Sequence, residues 1–203
     1  MPWLLTLPFA ALGYVVGSIP TGYWIGRLLA GQDVRACGSG NIGAANVARL
    51  LGLRSGLVVL ALDMAKGALP VAAFLLVWPK TSFQQNQAVS LVALATFLGS
   101  CYSLFLAFQG GKGVATASGI SLVLWPAAAL FAFLMFLAVV WRWRYVSLAS
   151  LSAAFSLPLC LALFRYPGAY VGLGSVLALG IFFRHRSNIR ALLKGRERKW
   201  NTQ

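Results

Sequence analysis

Two glycine-rich segments hold most of the residues whose types and spacing could handle an anion. The first reads Cys37-Gly-Ser-Gly-Asn-Ile-Gly-Ala-Ala-Asn46-Val-Ala-Arg49. Gly38, Gly40 and Gly43 let the backbone turn its N–H groups toward one point, and a helix starting just beyond them adds the positive end of its dipole. Ser39, Asn41 and Asn46 supply neutral donors, and Arg35 and Arg49 supply charge. A phosphate monoester needs such a set. The second segment reads Gln109-Gly-Gly-Lys-Gly-Val-Ala-Thr116. Gly110, Gly111 and Gly113 surround Lys112 at a helix start, where amides can cradle phosphate oxygens and Lys112 adds a point charge. A tight loop with one lysine fits the same residues, and spacing leaves both readings open. The GxxxxGK[ST] spacing is missing, which argues against ATP hydrolysis.

A third polar stretch, Arg184-His185-Arg186-Ser187-Asn188-Ile189-Arg190, leads into Lys194-Gly-Arg-Glu197. His185 is the chain's one histidine. Its near-neutral pKa suits a general base or an anion donor; an interfacial histidine at a helix end is the alternative. Arg184 can balance phosphate charge, whereas Arg186, Arg196, Arg198 and Lys199 read as topology and headgroup charges. Glu197, the one glutamate, is expected to pair with a nearby arginine. Asp63 and Lys66 are three residues apart, hence on one helix face, and charges inside a bilayer are usually paired. They are expected to pair with each other. Ser147 and Ser150 share a helix face and either pack helices or line the site.

Other chemistries lack their residues. There is no GxSxG elbow for a serine hydrolase, no carboxylate pair for glycoside cleavage, and no His/Cys/Asp cluster for a metal. His185 is followed five residues later by Arg190, so a His-x4-Asp pair is absent. Cys37, Cys101 and Cys160 lie far apart and define no disulfide framework. Neither a metal nor an organic cofactor is expected.

The elements that must position these residues follow from composition. Of 203 residues, 60% are apolar and 10% charged, against about 25% charged in soluble domains. Such a chain is expected to use a bilayer as its solvent. Apolar runs cover residues 2–30, 55–78, 87–108, 114–141, 146–164 and 169–183. Pro126 removes a helix hydrogen bond and splits 114–141 in two, giving seven spans, the fourth only about 12 residues and short for a crossing. Charge decides the parity. The 17 Lys+Arg against 3 Asp+Glu, a net charge of +14, sit in short loops and the tail. With seven spans the 31–54 loop, Lys112, Arg142, Arg144 and the tail share the cytoplasmic face, and only Lys80 and Arg165 fall outside, as the positive-inside rule requires. No lysine or arginine precedes Arg27, so the first helix is expected to be retained, with its N-terminus outside. This placement leaves no basic face for nucleic acid. The expected architecture is a single all-α polytopic domain, 1–203, with seven transmembrane helices and re-entrant or short loops at the cytoplasmic face.

With Gly17-Ser-Ile-Pro-Thr-Gly22 in the first span, the GSGNIGAAN…R loop, the GGKGVAT loop and the HRSNI…KGRE tail occur in order over nearly the whole chain. In these motifs the sequence resembles the bacterial acyl-phosphate:glycerol-3-phosphate acyltransferases. The resemblance implies seven spans in the bacterial inner membrane. It also implies transfer of a fatty acyl group from acyl phosphate to the 1-hydroxyl of glycerol 3-phosphate, giving lysophosphatidic acid and phosphate. This is the first acylation of phospholipid synthesis. It places Ser39 and Arg49 in a first catalytic motif, the GGKG loop at glycerol phosphate, His185 and Asn188 in a third motif, and Glu197 as that motif's structural acid. Three positions depart from the pattern: Ser100 stands where many relatives carry His, Ala45 where Thr is usual, and Gln109 where Lys is common. The proton acceptor is either His185 or an oxygen of the donor phosphate, and one histidine with no placed carboxylate favours the donor. A transporter or flippase for an anionic lipid or phosphate compound is the alternative; its broken helices would meet near the midplane, whereas these loops fall at one surface.

Overall fold

A computed structural model describes residues 3–78 and 83–200, and among them no strand occurs. Lys80, one of the two cations assigned to the outer face, lies outside the described residues. The helices are α1 (Trp3–Ser18), α2 (Thr21–Ala30), α3 (Ala44–Leu51), α4 (Leu53–Val77), α5 (Phe83–Cys101), α6 (Val114–Leu124), α7 (Pro126–Trp143), α8 (Val146–Leu163), α9 (Gly168–Arg184) and α10 (Arg186–Leu193), with a 3-10 turn at Leu104–Leu106. The protein is an all-α integral membrane protein.

Each of the seven apolar runs is helical. Five are long and apolar enough to cross a bilayer: Leu4–Ala30, Leu53–Val77, Gln84–Leu106, Pro126–Trp143 and Val146–Leu163. The α9–α10 pair, bent by 62°, makes a sixth if counted as one span. The 11 residues of α6 correspond to the short fourth run, and at about 1.5 Å per residue they fall well short of a bilayer core. The chain breaks at Trp125, with Pro126 opening α7 where a missing N–H costs nothing. The basic tail beyond the last span begins with the helical turns of α10.

The helices fall into two compact units, one ending at Val123 and the other starting at Leu124. In the first unit close approach depends on small residues, the usual device where lipid removes the hydrophobic drive between helices. A methyl group on Gly17 would overlap the Thr96 carbonyl, and one on Gly99 the Tyr14 carbonyl, so α1 and α5 touch backbone to backbone. Gly67 and Gly119 bring α4 against α6 in the same way, at the carbonyls of Thr116 and Met64. In the second unit α8 lies between α7 and α9, and the buried Trp125 meets Tyr170 edge to face at 5.6 Å. Only 17% of the apolar window of α7 is buried. Leucines such as Leu76 and Leu134 point outward, which suits a hydrocarbon solvent and no aqueous one.

Candidate active site

The first glycine-rich loop is built around Asn46, in the first turn of α3 and 2% exposed. Its Oδ1 accepts the Ser39 N–H at 2.8 Å. Its Nδ2 donates to the carbonyls of Val34 (3.0 Å), Cys37 (3.3 Å) and Asn41 (2.9 Å). One amide side chain thus satisfies four backbone groups of the loop that precedes it. Gly38, at φ +61°, faces the Asn46 carboxamide with no room for a β-carbon; both the left-handed backbone and the space demand glycine. Asn41 Oδ1 accepts the Gly43 N–H at 2.8 Å and turns the chain into α3. Ser39, at the loop's crest, is exposed, as is Arg49 in the last turn of α3.

Arg35 is held in a fork by Asp33: Nε lies 3.0 and 3.1 Å from the two carboxylate oxygens and Nη2 lies 2.7 Å from Oδ2. The guanidinium also stacks 5.0 Å over the Tyr23 ring. This arginine holds the Asp33 carboxyl down at about 2, and the carboxylate in turn raises Arg35. The charge expected for substrate is therefore shared with an acid two residues away.

The second loop leaves α5 through the 3-10 turn. Gly111 N–H donates to the Ser100 carbonyl at 2.9 Å, and Gly110 N–H to that of Cys101 at 3.2 Å. Gly113, at φ +77°, has the Phe97 ring and Cys101 Sγ where a β-carbon would go. Lys112 is half-buried at the entry to α6. A methyl group on Gly111 would lie 3.7 Å from Ile42 Cγ1 and 4.0 Å from Asn41 Oδ1. The two glycine-rich loops are therefore neighbours, although 69 residues separate Ile42 from Gly111 (111 − 42). Ser100 is buried at the base of the second loop and donates to the Phe97 carbonyl at 2.7 Å.

Asp63 and Lys66 sit in α4, with Nζ 2.8 Å from Oδ1. Lys66 also donates to the Ile19 carbonyl at 3.0 Å, and Thr21 Oγ1 donates to Asp63 Oδ1. Thr21 and Asp33 are partners that the residue-by-residue reading did not use. The Asp33-x-Arg35 spacing was a signal for one, since a side chain readily reaches two residues on in a turn.

The second unit carries the other polar group. Glu197 Oε1 accepts from Ser147 Oγ at 2.6 Å and from Asn188 Nδ2 at 2.8 Å. The expected arginine partner of Glu197 is thus replaced by a hydroxyl and an amide. Gly195, at φ +65°, lets the chain turn after α10, with Arg196 N–H bonding the Ala191 carbonyl. Trp200 N–H then reaches the Arg144 carbonyl at 2.6 Å, so the tail lies along the start of α8. His185 is buried between α9 and α10 and its Nδ1 lies 2.8 Å from the Ile181 carbonyl. A carbonyl only accepts, so Nδ1 carries hydrogen, and in the neutral ring Nε2 is the basic nitrogen. Ser150 donates to the Val146 carbonyl of its own helix. Arg184, half-buried, closes α9. Among the described residues no group of His, Cys, Asp and Glu could hold a metal.

Apolar helices joined by polar loops rich in cations and poor in acids define an integral membrane protein with a positively charged loop surface. The comparisons narrow this class. A family model described as glycerol-3-phosphate acyltransferase matches residues 7–195. Glycerol-3-phosphate acyltransferases of Syntrophotalea carbinolica and Geobacter sulfurreducens are each 44% identical to the chain, over 92% and 96% of it and 93% and 97% of their own lengths. The crystal structure of PlsY (YgiH), an integral membrane glycerol 3-phosphate acyltransferase, in its glycerol 3-phosphate form superposes with a TM-score of 0.91 at 40% identity, covering 97% of this chain and 96% of that one. Its lysophosphatidic acid form gives 0.88 at 38% identity over the same shares. The chain belongs to the glycerol-3-phosphate acyltransferase family and is an integral membrane acyltransferase. Membership sets aside the transporter reading.

Proposed function

We propose that the protein transfers a fatty acyl group from acyl phosphate to the 1-hydroxyl of glycerol 3-phosphate, releasing lysophosphatidic acid and inorganic phosphate. The observation that carries the reading is the adjacency of the two glycine-rich loops at Ile42 and Gly111. With the loops side by side, Ser39, Arg49 and Lys112 are the groups offered to phosphate oxygens, while the amides of Ser39, Gly40, Gly43, Gly110 and Gly111 brace the loops internally. Two phosphates bring roughly −1.5 to −2 each, and Arg49, Lys112, Arg184 and the Asp33-held Arg35 are the balancing charges.

The acceptor hydroxyl oxygen attacks the donor's carbonyl carbon, the carbon–phosphate oxygen bond breaks, and phosphate departs with the electron pair. The proton passes from the hydroxyl to a donor phosphate oxygen. Phosphate leaves readily without a strong general acid, so the protein's contribution is positioning and oxyanion stabilisation. Ser39, Arg49, His185 and Asn188 act on the reacting groups. Gly110, Gly111, Lys112 and Gly113 hold the glycerol phosphate. Asn41 and Asn46, expected as donors to substrate, instead shape the first glycine-rich loop, and Ser147 and Ser150 complete the substrate-binding set. Asp63, Lys66 and Glu197 are structural. No acyl-enzyme forms; a trapped acyl ester on Ser39 would overturn this step. The whole chain works as one domain in the bacterial inner membrane, N-terminus outside and C-terminus cytoplasmic, as the loop cations require. Reporter fusions at both ends test that orientation.

The decisive experiment is turnover of the purified protein in lipid. Palmitoyl phosphate and glycerol 3-phosphate are supplied, and both products are followed. Parallel reactions carry acyl-CoA or acyl carrier protein as donor. Product from acyl phosphate alone is expected, and product from a thioester donor at a comparable rate would overturn the donor assignment.

A further inference from the structure

The break between α1 and α2 has a use beyond bending a span. Pro20 has no N–H, and the chain leaves the helix at residues 19–20, so the carbonyls of Ser18 and Ile19 lose their i+4 partners, that of Ile19 accepting the Thr21 N–H at 3.1 Å instead. Inside a bilayer such groups must be satisfied by protein. Ser103 Oγ donates to the Ser18 carbonyl at 2.5 Å, and Lys66 Nζ to the Ile19 carbonyl at 3.0 Å. Thr21 Oγ1 donates to Asp63 Oδ1, the oxygen that also holds Lys66. Thr21, Lys66 and Ser103 are all buried. Lys66 thus bonds a carboxylate of its own helix and a carbonyl of the break at once, which ties α4 to the break.

Both partner sets lead to a glycine-rich loop. Ser103 opens the turn before the second loop, and its carbonyl accepts the Phe108 N–H at 2.8 Å. Thr21 begins α2, and its neighbour Gly22 sits so close to the Ile42 carbonyl that a β-carbon would overlap it. Ile42 borders the second loop, its Cγ1 lying 3.7 Å from where a β-carbon on Gly111 would be. A shift of the α2 start is therefore transmitted backbone to backbone to the point where the loops meet.

We propose that the α1–α2 break is a positioning hub for both phosphate loops, in which Thr21, Asp63, Lys66 and Ser103 set their separation and thereby the affinity for the phosphate-bearing acceptor. These are positioning residues, since each acts through the loops. The choice of acceptor rests on the reading given above.

The test uses full-length protein in lipid nanodiscs. Thr21→Val keeps the side-chain volume and deletes the hydroxyl; Thr21→Ser restores it; Ser103→Ala severs the other arm. Two readouts are taken: KM and kcat for glycerol 3-phosphate, and the rate at which a water-soluble maleimide labels Cys37, which is partly exposed while Cys101 and Cys160 are buried. Thr21→Val is expected to raise KM about tenfold with a smaller fall in kcat, as a misplaced binding loop does. It should also speed Cys37 labelling about threefold through local loosening of the loop. Thr21→Ser should match the parent in both. Wild-type KM in both Thr21→Val and Ser103→Ala overturns the hub. If Thr21→Val fails to fold, Ser103→Ala decides on the same criteria. If the parent protein makes no product, the functional reading fails, and the labelling rates alone then judge the hub: faster labelling supports it and unchanged labelling overturns it.

Discussion

The loop around Ser39 and the tail around Glu197 are locked in opposite ways. In the loop, one neutral amide binds backbone groups, and its partners lie 5 to 12 residues away in sequence. In the tail, one carboxylate oxygen binds two side chains, one of them 50 residues away. A neutral lock keeps its geometry without adding charge to the loop. A charged lock places its one negative charge in a segment crowded with Arg184, Arg186, Arg190, Arg196, Arg198 and Lys199, where it holds the chain through a hydroxyl and an amide. The comparison teaches that the Ser39 loop is braced by an uncharged amide, with its acid Asp33 tied up by Arg35, while the tail is braced by a carboxylate.

The contrast is most exposed to failure at Asn46. Asn46→Ala leaves the Ser39 N–H and the carbonyls of Val34, Cys37 and Asn41 without that amide. The buried Val34 carbonyl left unpaired costs about 1–3 kcal/mol and water reaches the part-buried others, so a loss of about 3 kcal/mol in stability is expected in all. Turnover should fall at least about 100-fold, because the loop no longer holds its reacting groups within tolerance. Thermal unfolding in lipid and initial rates measure the two effects. Near-normal turnover would mean that the loop is fixed by its glycines and not by the amide.

A smaller effect separates charge from hydrogen bonding at Glu197. Glu197→Gln keeps an oxygen that can accept from both Ser147 and Asn188, whereas Glu197→Ala keeps none. The alanine variant is expected to lose about 2 kcal/mol and the glutamine variant about half that. Limited trypsin digestion at the tail's arginines and lysines reads release of the segment directly. Equal release in both variants would show that the charge, and not the geometry, holds the tail. Ser147→Ala, which removes one donor of two, should cost about 1 kcal/mol and leave the tail docked.

These two regions also differ in how much of them was legible in sequence. The loop announces itself because a tightly turning backbone needs glycine and small polar residues close together, and Gly38, Ser39, Asn41 and Asn46 are close together; the amides expected to point one way instead bond within the loop. Pro126 marked the α6–α7 break for a reason internal to one residue, and Asp63 and Lys66 were paired by helix geometry alone. The tail lock was not legible. Nothing local to Glu197 points to Ser147, and an arginine was the more natural partner in so basic a segment. Thr21 and Ser103 escaped for the same reason. Their partners, Asp63 and the Ser18 carbonyl, lie on other helices, and single hydroxyls in apolar runs carry no periodic signal.

The smallest expected effect concerns Arg35, where the neutral loop meets a charged pair. The fork to Asp33 is exposed enough for water and salt to screen it, so Asp33→Asn should cost at most about 0.5 kcal/mol at pH 7. The sign of the pH dependence follows from the lowered carboxyl. Its folded value of about 2 lies below the ordinary 3.8, so the pair's contribution is complete above 3.8 and fades as pH falls through about 2. Between pH 5 and 8 this pair should therefore add no slope to the melting temperature in either protein. The kinetic consequence runs the other way from the stability. Loss of the Asp33 charge removes an anion that competes for the guanidinium, so KM for glycerol 3-phosphate should fall about twofold if Arg35 helps balance a substrate phosphate. A KM that rises instead would mean that the fork's role is to shape the loop, and that Arg35 belongs with Asn46 among the groups that hold it from behind.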